Sequence, residues 1–201
     1  PLMYACRDRG VKTLTLFAFS SENWHRPEAE VRALMALLSR YLRREIKQLA
    51  EDGVRVRFIG RRDRLSPRIA KLLAWSEQAT EHNTDTTLVL ALDYGGRWDV
   101  GEAASSLAHD VEVGRLRAED IDETSLSARM SLADQPTLDL CIRTGGEYRL
   151  SNFLLWQSAY AELWFTKTLW PDFTVEELDV AIDHFAGRER RYGGRPAEVH
   201  S

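Results

Sequence analysis

Two hydrophobic periods alternate along this chain, and the switches between them mark its elements. Leu2, Met3 and Cys6 fall at helical spacing with Gly10 behind them, so residues 1–9 read as the back half of a helix with a glycine stop. Residues 13–19, TLTLFAF, form an apolar run rich in Thr, Leu and Phe and predict a buried strand. A loop carrying Ser20, Ser21, Asn23 and Pro27 follows. From Glu28 the period becomes helical, with Val31, Leu34, Leu38, Leu42, Ile46 and Leu49 three or four residues apart, and Gly53 ends the helix. In 54–59, Val54, Val56 and Phe58 alternate with Arg55 and Arg57, the pattern of a strand with one more polar face.

Ser66-Pro67 is a cap followed by a first-turn proline, and the helix it opens is expected to run to about His82. TLVLAL at 87–92 predicts another buried strand. Asp99 is expected to cap a helix that extends to Val113. Residues 115–136 read as polar helix and loop, and LDLCI at 138–142 as a fourth strand. A short helix is expected from about Asn152, a fifth strand at 162–165 and a last helix over 174–187, before a tail in which Arg188, Arg190, Arg191 and Arg195 crowd together. Strands alternating with helices predict an α/β sandwich, with a mostly parallel central sheet flanked by helices. In such sheets ligands sit beyond the carboxyl ends of the strands, so the loops at 20–27, 60–65, 93–98 and 143–152 are the informative ones.

Composition narrows this picture. The 201 residues suit a single domain, and 44% apolar with 29% charged residues is ordinary for a globular chain. No apolar run is long enough for a membrane span, and no signal-peptide pattern opens the chain. Cys6 and Cys141 lie far apart in apolar settings and read as reduced core thiols of a cytoplasmic protein. The net charge of −4 argues against general nucleic-acid binding and leaves a small anion site open.

That anion site has a candidate. After the fourth strand the chain reads Arg143-Thr144-Gly145-Gly146-Glu147-Tyr148-Arg149-Leu150-Ser151-Asn152. Gly145 and Gly146 allow close backbone approach and can point N–H groups at a ligand. Arg143 and Arg149 can fork onto phosphate oxygens, and Ser151 adds a hydroxyl at an expected helix start. A glycine turn with solvated arginines fits the same residues; the place after a strand favours a phosphate or diphosphate cradle. At the same sheet edge, Ser20, Asn23 and Arg26 offer polar contacts, and Phe19 and Trp24 offer apolar area. A helix cap beside a packed tryptophan is the plainer reading of that loop. Glu162 is either a surface charge or, near the arginine loop, a ligand for Mg²⁺. The histidines lack metal-ligand spacing, and no G-x-S-x-G, Walker A or G-x-G-x-x-G motif occurs.

FAFSSENWHRP, DYGGRWD, DLCIRTGGEYRLSNFLLWQSAYAELWF, LWPDF and RERRYGG resemble, in order and over essentially the whole chain, the successive motifs of the cis-prenyltransferases, nearest in pattern to bacterial undecaprenyl diphosphate synthases. The resemblance implies a Mg²⁺-dependent homodimer that extends an allylic diphosphate, typically farnesyl diphosphate, with isopentenyl diphosphate to give a cis-polyprenyl diphosphate. The product would be delivered to the membrane from the cytoplasm, with at most peripheral contact at the inner membrane face. By motif, Arg143, Arg149 and Ser151 would bind the isopentenyl diphosphate group and Glu162 would help place Mg²⁺. Ser20, Asn23, Trp24 and Arg26 would sit at the reacting ends. Phe19 and Ala18 would line the mouth of a hydrocarbon tunnel walled by the Leu34–Leu42 helix, and Arg191-Tyr192-Gly193 would reach a partner subunit.

Three departures stand out. The family opens with a strand and loop reading roughly Met-Asp-Gly-Asn-x-Arg-Trp, whose Asp is its main catalytic and metal-binding carboxylate. Residues 1–201 therefore read as a single domain lacking that strand and motif, and if Pro1 is the true start little or no activity is expected. Tyr148 stands where relatives often carry His, and Asp93 replaces the usual Asn before Tyr-Gly-Gly-Arg. The alternatives to an active enzyme are a non-catalytic subunit of the same fold and an unrelated phospho-metabolite-binding domain.

Overall fold

A computed structural model of the chain describes residues 2–188. In order, the elements are α1 (Leu2–Asp8), β1 (Thr13–Ser20), α2 (Glu28–Glu51), β2 (Val54–Ile59), α3 (Pro67–Ala79), β3 (Thr86–Tyr94), α4 (Gly96–Glu112), α5 (Glu123–Ser127), β4 (Leu140–Arg143), β5 (Glu162–Phe165) and α6 (Val175–Ala186). All five strands run parallel to their partners, as the alternation predicts. They divide into a three-stranded sheet ordered β1-β3-β2 and a two-stranded sheet β4-β5. β3 is the middle strand and is buried almost throughout, which is why its sequence shows no alternation. β2 is an edge strand among the described residues; it buries Val54, Val56 and Phe58 and turns Arg55 outward.

The main core lies between this sheet and helices α2 and α3, around Leu42, Ile46, Leu49, Val54, Leu73 and Leu88. Only part of α2 belongs to it. Leu42, Ile46 and Leu49 are buried, whereas Leu34 and Leu38 are half-exposed and Leu37 is 59% exposed. Between Val31, itself buried, and Leu42 the helix therefore stands off the sheet. Between the two lies an apolar pocket of about 370 Å³, lined by Ala18, Phe19, Leu34, Met35, Leu38, Tyr41, Leu90, Leu92 and Trp170.

A second, larger cavity of about 1250 Å³ separates the two sheets. One wall is the edge of β1 from Thr13 to Leu16, and the other is the segment from Leu138 to Ile142 that includes β4. Among the described residues β1 pairs only with β3, and β4 only with β5. The facing strand edges therefore carry unpaired backbone groups beside an apolar space. Helices α1 and α6 hold the sheets together at this gap: Ala5, Cys6, Phe173 and Leu178 pack with Leu14 of β1 and Ile142 of β4. Arg9 and Asp179 pair across the same contact. Cys6 is buried and Cys141 half-buried, both are free thiols, and burial pushes both above the ordinary thiol range.

Three expected elements differ. The helix predicted from Asn152 is absent; residues 151–160 form successive turns, with Ser151, Asn152 and Leu154 all at positive φ. Residues at positive φ cannot continue a right-handed helix. Asp99 does not cap α4. That helix starts at Gly96 with Gly95 as its cap residue, and Asp99 lies inside it, 3% exposed, pointing into the protein. The predicted third helix also stops at Ala79, short of His82. Thr80 there turns its hydroxyl to accept the Val56 N–H at 2.9 Å.

Candidate substrate site

The loops following β1, β2, β3 and β4 meet at the carboxyl edges of the strands. Asn152, at φ +64°, ties three segments together. Its side-chain N–H₂ donates to Glu22 at 2.8 Å, its Oδ1 accepts the Arg97 N–H at 2.9 Å, and its carbonyl accepts the Gly96 N–H at 2.6 Å. The arginine loop is thereby joined to the turn after β1 and to the start of α4. Gly95 and Gly96 make this approach possible. A Cβ on Gly95 would lie 2.6 Å from the Asn152 amide nitrogen, and one on Gly96 would lie 2.8 Å from Leu155. Sequence reasoning singled out Asn152 only as a helix start and did not find its role as a tie.

Burial alone would raise the Glu22 carboxyl. The hydrogen bonds from Asn152 and from its own turn outweigh that and hold it below its ordinary value of 4.5. A carboxyl lowered in the folded state contributes fully above its ordinary value, and the contribution is lost as pH falls through the lower folded value. Binding of a ligand at this edge is thus expected to weaken below about pH 4.5. Titrating binding against pH in the parent and in Glu22→Gln checks this: the acid-side loss should be smaller in the variant.

In the arginine loop, Gly145 and Gly146 have φ of +85° and +72°. Only this backbone freedom requires glycine, since a Cβ at either place would meet nothing closer than 3.9 Å. The expectation that their N–H groups point at a ligand is not met. Gly145 N–H donates to the Thr168 carbonyl at 2.8 Å, and Gly146 N–H to the Thr166 carbonyl at 2.9 Å. The glycines shape the loop and fasten it to the segment that follows β5; the ligand-binding capacity rests on side chains.

Arg143, at the end of β4, is the most telling of these. It is half-buried, and its Nε is buried without a hydrogen-bond partner among the described residues. A buried guanidinium nitrogen left unpaired is costly unless a ligand completes it. Arg149 is exposed and paired with Glu147. Ser151 is half-buried at φ +49° and, with no helix behind it, offers a hydroxyl but no helix dipole. Tyr148 is 70% exposed and leans on the Phe165 ring.

The loop after β1 forms a 3-10 turn over Ser21–His25. Asn23 Oδ1 accepts the Ser20 N–H at 3.0 Å, so the helix-cap reading holds for that atom, and the amide N–H₂ is left for other contacts. Phe19 is 2% exposed and packs edge-on against Trp24, with ring centroids 5.1 Å apart, at the wall of the apolar pocket. Arg26 is exposed and lies 3.8 Å from Glu30. The arginine loop reaches the same pocket by way of Leu169, which faces Gly145, and Trp170, which lines the pocket.

Glu162 is not brought to that edge. It opens β5 opposite Leu140, while Arg143 pairs with Phe165 three positions on, about 10 Å along the strands. Among the described residues, no group of three His, Cys, Asp or Glu side chains converges to hold a metal. The described carboxylates therefore do not by themselves make a magnesium site. The Arg191-Tyr192-Gly193 element lies outside the described residues.

A parallel α/β fold whose strand ends gather arginines beside an apolar pocket defines a class of protein that handles anions with hydrocarbon tails. The comparisons with known proteins agree. The family described as "Putative undecaprenyl diphosphate synthase" matches residues 1–193, and the chain belongs to this prenyltransferase family. It is 54% identical over 194 residues to the farnesyl-diphosphate-specific ditrans,polycis-undecaprenyl-diphosphate synthase of Xanthomonas axonopodis pv. citri, covering 96% of this chain and 76% of that one. The synthase of the same name from Acinetobacter baylyi is 49% identical over 199 residues, 99% of this chain and 80% of its own. Lavandulyl diphosphate synthase from Lavandula x intermedia, solved with dimethylallyl diphosphate, superposes with a TM-score of 0.90 at 35% identity, over 95% of this chain and 83% of that one. A "probable undecaprenyl diphosphate synthase" from Campylobacter jejuni gives 0.85 at 36%, over 96% and 88%.

Proposed function

We propose that this protein condenses isopentenyl diphosphate units onto an allylic diphosphate, farnesyl diphosphate in the first round, to build a cis-polyprenyl diphosphate. The observation that carries the reading is the buried Nε of Arg143, unpaired among the described residues, at the same strand edge as the apolar pocket behind Phe19. Arg143, Arg149 and Ser151 hold the isopentenyl diphosphate group through charge-assisted hydrogen bonds. Ser20, Asn23, Trp24 and Arg26 border the reacting ends. The allylic C–O bond breaks and its electrons leave with diphosphate; the isopentenyl double bond supplies the pair for the new C–C bond. Loss of a proton from the adjacent carbon then restores a double bond. The growing chain enters the space between α2 and the sheet, where each buried CH₂ contributes about 0.8 kcal/mol.

The cavity between β1 and β4 supports the expectation that a further strand belongs to this fold. An extended apolar segment lying there would pair both free edges and join the two sheets into one. The family resemblance places its catalytic carboxylate on such a strand. The same resemblance implies Mg²⁺ to neutralise departing diphosphate; the described side chains make no complete site for it, so the chemistry assigned here rests on the arginines. A homodimer, a cytoplasmic location and peripheral membrane contact complete the proposal. Leu163 of β5, 41% exposed on an edge strand, is in keeping with a subunit contact. No described helix is long and apolar enough to cross a membrane.

A non-catalytic subunit of the same fold would give Arg143 no ligand to complete it. Labelled isopentenyl diphosphate, farnesyl diphosphate and Mg²⁺ given to protein with its native N-terminus should yield a long, butanol-extractable product. Absence of product there would sink the proposal.

A further inference from the structure

Asp93, one of the residues that depart from the family pattern, is the penultimate residue of β3, with a wholly buried side chain at φ +49°. A carboxylate removed from water in this way needs a partner. It has one in Arg64, from the loop after β2. Arg64 Nε donates to Oδ2 at 3.0 Å and Nη2 to Oδ1 at 3.1 Å, a two-pronged contact. The neighbouring Arg61 N–H donates to the Asp93 carbonyl at 3.2 Å, so the loop is fixed by its backbone as well.

The guanidinium has a second contact. Its Cζ lies 5.0 Å from the centroid of the Trp24 ring, within cation–π range, and Nη2 approaches the Ser21 carbonyl at 3.5 Å. Trp24 Nε1 is buried, lies near the Asp93 carboxylate and is not paired in good hydrogen-bond geometry. On its other side Trp24 rests against Phe19, which walls the apolar pocket. One arginine thus spans the loops after β1 and β2 and the end of β3. Because its charge is matched by Asp93, it is poorly suited to be an anion ligand and well suited to be a fixed platform.

We propose that Arg64 and Asp93 are positioning residues, a clamp that holds Trp24 and the 21–25 turn at the mouth of the apolar pocket and so tunes binding of the prenyl tail without touching the isopentenyl diphosphate cradle. The proposal rests on the reading of that pocket as the prenyl site. Neutralising Arg64 while keeping its stem, as Arg64→Met does, frees the indole. Asp93→Asn keeps one acceptor oxygen for the guanidinium and removes a buried charge, so it serves as the conservative variant.

The test combines two readouts on the protein with its native N-terminus. The first is the nitrogen-15 indole resonance of Trp24, assigned by its loss in Trp24→Phe. The second is calorimetric binding of farnesyl diphosphate and, separately, of isopentenyl diphosphate. In Arg64→Met the Trp24 resonance should shift, farnesyl diphosphate should bind about tenfold more weakly, and isopentenyl diphosphate should stay within about twofold. Asp93→Asn should stay within about threefold of the parent for both ligands. An unmoved Trp24 resonance in Arg64→Met, or equal weakening of both ligands, overturns the clamp. If the parent binds isopentenyl but not farnesyl diphosphate while the Trp24 resonance still shifts, the prenyl reading of the pocket falls and the clamp stands.

Discussion

Arg143→Ala should raise the apparent Michaelis constant for isopentenyl diphosphate by about 10- to 100-fold while leaving thermal stability unchanged or slightly improved. The fold-change follows from removing hydrogen bonds to a charged group, worth about 1.5–3 kcal/mol. The stability expectation follows from the same geometry. Arg143 Nε is already buried without a partner, so deleting it removes an unsatisfied group rather than a contact the fold depends on. Arg149→Ala should cost only about two- to fivefold, because Arg149 is exposed and shares its charge with Glu147. Arg143→Lys keeps the charge but loses the fork, and should fall between the parent and the alanine variant. Steady-state kinetics checked by direct binding separates these. An unchanged constant in Arg143→Ala would show that the loop after β4 is not the cradle.

β2 and β3 were legible because they are buried on one or both faces and the hydrophobic period reports burial directly; β1, β4 and β5 were legible as short apolar runs between turn residues. The runs at 13–19, 54–59, 87–92 and 162–165 match β1, β2, β3 and β5 within a residue or two. The arginine loop was legible because two glycines between a strand and an arginine signal a shaped turn. Where their N–H groups go was not, since that depends on Thr166 and Thr168, about twenty residues further on. Strand order was equally hidden. Only because β3 lies between β1 and β2 do the loops carrying Trp24, Arg64 and Asp93 become neighbours. A single cue was present: a charged residue, Asp93, directly after the apolar run Leu88–Leu92. The split into two sheets left no mark in the periodicity of β1 or β4, because a strand looks the same whether its far edge is paired or not.

Asp99→Ala should destabilise the fold by about 3–5 kcal/mol, and its effect should concentrate on the segment behind the arginine loop. Asp99 is 3% exposed and accepts three hydrogen bonds from three parts of the chain: the Tyr94 hydroxyl at 2.8 Å, Gln157 Nε2 at 3.0 Å and the Ser131 N–H at 3.0 Å. Burial first, and then the Asp99 charge, push the Tyr94 phenol well above its ordinary value, so it stays a donor across the working pH range. Alanine would leave the buried Tyr94 hydroxyl and the part-buried Ser131 N–H without their acceptor, and Gln157 with only its bond to the Ser131 carbonyl. Gln157 also donates to the Ser131 carbonyl at 2.9 Å, so Asp99 and Gln157 together tie the 131 and 157 segments. Asp99→Asn should lose only about 1–2 kcal/mol. The Tyr94 hydroxyl can rotate to accept, and the Gln157 Oε1, buried without a partner in the parent, can take an amide N–H after a flip. Urea unfolding gives both values, and hydrogen exchange locates them: protection should fall first over 153–158, ahead of β1 and β3. A loss spread evenly over the molecule would mean that Asp99 supports the core at large rather than the segment that carries Asn152 to the site.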